Sequence, residues 1–143
     1  MNRTEVRLCH VVVYDTQDLQ MIQLEEVDGD PPRILTLMIG PNEAKEIARN
    51  IQAVQLPRPL THTLFAQAIG KLGGSLEEVE ITDIDMTGNT YFATLRIRQG
   101  DQVHLLDARP SDCVALAQKV GARIYISDVV WGKLKDSPST PDS

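Results

Sequence analysis

Tyr91-Phe92-Ala93-Thr94-Leu95-Arg96-Ile97-Arg98-Gln99-Gly100-Asp101-Gln102-Val103-His104-Leu105-Leu106-Asp107-Ala108-Arg109-Pro110-Ser111-Asp112 contains the changes of pattern that decide the fold. Tyr91, Ala93, Leu95 and Ile97 alternate with Thr94, Arg96 and Arg98, which predicts a strand with one wet face. Gly100-Asp101 turns the chain into a second strand, Val103 to Ala108. Arg109-Pro110-Ser111-Asp112 then opens a helix with the apolar stripe Cys113, Leu116, Ala117 and Val120, and Gly121 stops it. Strand, tight turn, strand and helix in succession argue for an antiparallel sheet carrying helices on it.

Working outward, Leu76 to Asp85 reads as a strand with a slip of phase. Val79 and Ile81 share one parity and Ile84 and Met86 the other, so a bulge is expected near Thr82-Asp83. Arg123 to Ser127 is a last strand, and Asp128 to Leu134 a short helical turn. Upstream, Val6 to Tyr14 and Leu19 to Glu25 form a strand pair around the turn Asp15-Thr16-Gln17-Asp18. Ile34 to Ile39 is nearly continuous in apolar residues and is expected to be buried on both faces.

Gly40-Pro41-Asn42 stops that strand and caps a helix with the stripe Ala44, Ile47, Ala48 and Ile51. Glu43 and Glu46 fall in its first turn, where the dipole favours them. A further helix carries Leu64, Phe65, Ala68, Ile69 and Leu72 and ends at Gly73-Gly74. The expected fold is α+β, a single domain over residues 1–134 with a mixed, mostly antiparallel sheet and three main helices. Residues 135–143 include a final stretch without apolar side chains and are expected to form a disordered tail.

With 143 residues, 42% apolar and 24% charged, the chain can bury one ordinary core. No apolar run approaches the roughly 20 residues of a membrane span, and the N-terminus lacks the apolar block of a signal peptide. A cytoplasmic location with no membrane partner is the resulting expectation. Cys9 and Cys113 lie far apart in apolar patterns and read as buried, inert thiols. A net charge of −6 with 4% aromatics speaks against tight, unspecific coating of nucleic acid.

One motif occurs twice: Arg58-Pro59-Leu60-Thr61-His62 and Asp107-Ala108-Arg109-Pro110-Ser111-Asp112. Each sets an Arg-Pro pair and a hydroxyl before a helix, where free N–H groups and the dipole favour an anion and a guanidinium suits phosphate. The pair points to phosphate chemistry or to a structural polar hub. Asp107 shares parity with Val103 and Leu105, the expected inward face, and so needs a partner; Arg58 is the candidate. That contact would bring the two motifs together. His62 sits in a first helical turn and can act as base or ligand, while Asp112 can hold a divalent cation or orient water.

The plainer roles are N-capping for Thr61 and Ser111, dipole compensation for Asp112 and Glu43, and a buried ion-pair network for Arg58, Arg109 and Asp107. Glu77, Glu78, Glu80, Asp83 and Asp85 read as a solvated strand face, and His10 and His104 as strand residues. Glycine-rich phosphate loops, paired Cys or His metal boxes and nucleophile elbows are missing from the sequence.

Ile39-Gly40 with Glu43-Ala44, Arg58-Pro59-Leu60-Thr61-His62 with Leu64, Asp107-Ala108-Arg109-Pro110-Ser111-Asp112 with Ala115-Leu116-Ala117, and Gly121-Ala122 before Ile124-Tyr125 together resemble the bifunctional nuclease domain family. The resemblance runs from about Val6 to Val130. It implies hydrolysis of DNA and RNA assisted by a divalent metal, magnesium or manganese. It also marks Glu43, Arg58, Thr61, His62, Asp107, Arg109, Ser111 and Asp112 as signature residues. On this reading His62, Asp107 and Asp112 are catalytic, Arg58, Arg109, Thr61 and Ser111 bind phosphate, and Asp112 and Glu43 hold the metal. The substrate is weakly bound nucleic acid, and a homo-oligomer is allowed. Thr63 departs from the Asp that the family usually carries after Thr-His. The competing reading is a non-enzymatic regulatory, partner-binding or anion-binding domain with an architectural Arg-Asp-His network.

Overall fold

Seven strands form one sheet in the computed structural model, which describes residues 2–14 and 19–136. In chain order the strands are β1 (Arg3–Val12), β2 (Gln20–Glu26), β3 (Ile34–Ile39), β4 (Gly74–Asp85), β5 (Thr90–Gln99), β6 (Gln102–Ala108) and β7 (Arg123–Ser127). Their spatial order is β3-β2-β1-β7-β4-β5-β6. Every pairing is antiparallel except that of β4 with β7, which is parallel. The helices are α1 (Pro41–Ile51), α2 (Thr61–Lys71), α3 (Pro110–Val120) and α4 (Asp128–Asp136). The expected α+β class with a mixed, mostly antiparallel sheet is what the chain adopts. A full fourth helix replaces the short terminal turn. The expected turn at 15–18 and the tail from 137 onward lie outside the described residues.

The core face of the sheet can be followed row by row. Val6, Ile124, Val79 and Leu95 align across four strands and are all buried. Helix α3 packs on this face between α1 and α2, burying Cys113, Val114, Leu116 and Ala117. Val120, expected in its stripe, is exposed. Gly121 ends α3 in the left-handed conformation at φ 73°, which a side chain would strain. The phase slip in β4 is a bulge between Ile81 and Asp83, as the pattern predicts.

Two apolar expectations fail for the same reason, a missing second covering layer. Strand β3 is an outer edge with Leu35, Leu37 and Ile39 buried, while Ile34 and Met38 face out. It is therefore buried on one face only. Helix α2 has no buried residue, and its predicted stripe leaves Leu64, Phe65 and Leu72 exposed. Of that stripe Ile69 packs against the core, joined by Ala66 from outside it. The opposite, polar face of the sheet carries cross-strand ion pairs. Arg3 bridges Glu78 and Glu80 and stacks 3.8 Å from the Tyr125 ring centre. Glu77 accepts from Arg96 and Arg98. The acidic stretch is thus a paired surface rather than a merely solvated one. No described helix is long and apolar enough to cross a membrane.

Candidate functional site

Three helix starts converge. Gly40, Leu60 and Arg109 are the N-caps of α1, α2 and α3, and in none of the three does a cap side chain accept from the free backbone N–H groups of its helix start. Thr61 and Ser111 therefore do not cap: each already lies inside its helix. Proline fills the first position of α1 and α3, where its missing N–H costs nothing. Glu43, His62 and Asp112 all belong to first turns. Gly40 leaves room for the Glu43 carboxylate, whose Oε1 would lie 3.1 Å from an added Cβ. That close approach lets the carboxylate fold back over its own helix start.

These groups form one chain of contacts. Asp112 accepts from Arg109 twice, at 2.9 Å from Nε to Oδ2 and at 2.9 Å from Nη2 to Oδ1. Arg109 Nη1 also donates to Glu43 Oε1 at 2.8 Å. His62 Nε2 lies 2.9 Å from Asp112 Oδ1. Burial pushes the Asp112 carboxyl up, but hydrogen bonds from Arg109 and His62 outweigh it and hold the group below the usual range. The Arg109 guanidinium is raised, chiefly by Asp112. The His62 and Asp112 side chains are 16% and 25% exposed, so both are half-buried and reachable. They line an open cleft of about 400 Å³ with Lys45, Arg49 and Leu60.

The structure joins the two Arg-Pro motifs, but not through the predicted contact. Leu106 pairs with buried Leu95, and Asp107 with Thr94, so Asp107 points to the polar face away from the helices. Val103 and Leu105 share its parity, as read, but theirs is the outward face. The row on the helix side takes the other parity, and there Leu106 is still exposed and Ala108 half-buried. Asp107 is exposed and does not meet Arg58. Arg58 lines a neighbouring cleft instead. Ser111 is buried and faces a third hollow beside Tyr91 and Arg109. Thr61 lines the His62 cleft.

Sequence reasoning missed the role of Glu46. It is not a dipole partner but is only 5% exposed, 2.9 Å from Arg49 and 3.3 Å from Lys119. Burial pushes its carboxyl up, and the Arg49 hydrogen bond with the Lys119 charge more than offsets this. The Glu46–Arg49 spacing of one helical turn is the local signal; Lys119, from α3, has none. Cys113, as expected, is a buried thiol, pushed up to about 12 mainly by burial.

The side chains read as metal ligands do not fit a cation in this arrangement. Glu43 and Asp112 both spend a carboxylate oxygen on Arg109, whose guanidinium fills the position between them. Among the described residues, no three His, Cys, Asp or Glu side chains gather as a metal site. To hold a metal, as the resemblance implies, Asp112 and Glu43 would have to give up the Arg109 charge that bridges them.

Comparison with known proteins bears on the family. The bifunctional nuclease domain matches residues 22–137. Two relatives from Mycobacterium tuberculosis are each 41% identical over 126 residues, 88% of this chain and 73% of theirs. They are the uncharacterized proteins MT1877 (strain CDC 1551 / Oshkosh) and Rv1829 (strain ATCC 25618 / H37Rv).

Proposed function

This chain belongs to the bifunctional nuclease domain family, and we propose that it hydrolyses phosphodiester bonds in DNA and RNA at the His62–Asp112 cleft. Family membership supports nuclease-like chemistry and contact with nucleic acid. The observation that carries the assignment to this cleft is the 2.9 Å contact between His62 and Asp112 inside an open hollow that Lys45 and Arg49 also line.

With the proton on Nε2, His62 donates to Asp112 and keeps Nδ1 as an acceptor. Asp112, ionised by Arg109, then orients the ring and stabilises it when charged. His62 takes a proton from water as the water oxygen bonds to phosphorus. The phosphorus–oxygen bond to the sugar breaks, and the departing oxygen takes a proton from solvent. Lys45, Arg49 and the uncapped first turn of α2 face the same hollow and would hold the phosphate charge. Arg109 acts here as a positioning residue, because Asp112 and Glu43 already occupy it.

One observation favours a second reading, a non-enzymatic binding domain. Glu43, Arg109, Asp112 and His62 satisfy one another, as an architectural network would. The deciding experiment incubates the purified protein with single-stranded DNA and RNA in magnesium, manganese or EDTA, beside Asp112→Asn. Cleavage by the wild type, lowered about 100-fold in the variant, supports the nuclease. No cleavage in any condition supports the binding domain.

Self-association with a second copy is part of the same proposal. Strand β6 is an outer edge with Leu105 65% exposed and Val103 and Leu106 also exposed. An antiparallel edge can pair with its own two-fold mate, which removes both free edges.

A further inference from the structure

We propose that the cleft adjoining the His62–Asp112 hollow is a second phosphate subsite, which holds a neighbouring phosphate of the same nucleic-acid strand. Its ligand class rests on the nuclease reading. The cleft has a volume of about 270 Å³ and lies between the end of α1, the loop before α2 and the first turns of α2. Arg49, Arg58 and Lys119 supply its positive charge, and Thr63 and Gln67 its neutral polar groups.

The charge balance favours an anion. Three cations face one carboxylate, Glu46, so the lining carries two uncompensated positive charges in a protein of net charge −6. Arg58 makes no hydrogen bond or ion pair among the described residues, unlike Arg109, which is fully engaged. Arg49 Nε is buried and has no partner. A buried donor without an acceptor is costly, so the Arg49 guanidinium is less fully satisfied than that of Arg109.

The two hollows adjoin. Glu46, Arg49 and Leu60 line both, while Thr61 and His62 face one and Thr63 the other. The uncapped start of α2 thus lies at their junction, and a strand crossing it would place consecutive phosphates on either side. Thr63 matters here because a carboxylate at that position would cancel part of the charge.

The test is fluorescence anisotropy of labelled oligothymidylate in EDTA across a salt series, with wild type, Arg58→Ala and Thr63→Asp. Arg58 has no partner to lose, so its removal leaves the fold intact; Thr63→Asp adds a charge without deleting a contact. Each variant is expected to weaken binding about fivefold, and Arg58→Ala to reduce the salt slope by about 0.7. Unchanged affinity and slope in both variants, or no binding by wild type at low salt, overturns the subsite. If the oligonucleotide is nonetheless cleaved, the nuclease reading survives that result. Weakened binding in a protein that cleaves neither DNA nor RNA keeps the subsite and overturns the nuclease reading.

Discussion

His62 and Asp112 are 50 residues apart in the chain, yet a 2.9 Å contact from Nε2 to Oδ1 ties the start of α2 to the start of α3. Arg109 extends that tie to α1 through Glu43. Three positive helix ends and two carboxylates thus meet around one guanidinium.

Arg109→Ala removes the charge between Glu43 and Asp112. The Arg109 side chain is 62% exposed, so the stability cost is small, about 1 kcal/mol. The two carboxylates then face each other without a cation. Magnesium or manganese is expected to raise the melting temperature of Arg109→Ala more than that of wild type, as differential scanning fluorimetry would show. An equal response in both proteins would contradict the account of Arg109 as the resident positive charge.

Glu26 makes the clearest pH dependence. A hydrogen bond from Arg33 at 2.8 Å holds its carboxyl below the ordinary range, against burial, and the Arg33 backbone N–H adds another at 2.7 Å. Its folded value lies below the unfolded one, about 4.3. The stabilisation is therefore complete above that pH and is lost as pH falls through the folded value. Urea unfolding of wild type against Glu26→Gln should differ by about 1–3 kcal/mol above roughly pH 5 and converge in acid.

The apolar stripes of α2 and α3 look alike in sequence but differ in burial. Leu116→Ala opens a cavity under the central helix and should cost about 2–5 kcal/mol. Leu72, 74% exposed, should tolerate Ser within about 0.5 kcal/mol. Paired chemical denaturation curves test both.

If β6 pairs with a second copy, Leu105→Lys places a charge on the joined edge. Sedimentation should then show a smaller species than wild type, with an unchanged melting temperature. The same mass for both proteins would contradict the pairing.

The strands and their turns were legible because period-two alternation depends on a strand's own residues, as in Tyr91 to Ile97 and the bulge at Asp83. What alternation cannot reveal is which face has a covering layer. Asp107, Ile34, Met38, Leu64 and Leu72 were misplaced for that reason: each lies on a face that no helix covers. The site was half legible. Residue types placed His62, Asp112, Glu43 and Arg109 at helix starts, and all four meet. The partner of Asp112 was not legible, because it depends on how α2 lies against α3. Glu46 and Lys119 likewise come together only through the packing of α1 on α3.

The central claim is that His62 performs proton transfer in phosphodiester hydrolysis. The most direct test is the single-turnover cleavage rate of a defined single-stranded oligonucleotide by His62→Ala, with melting temperature measured in parallel. The account predicts a loss of about 100-fold or more with the fold retained. A folded His62→Ala protein that cleaves at the wild-type rate would contradict it.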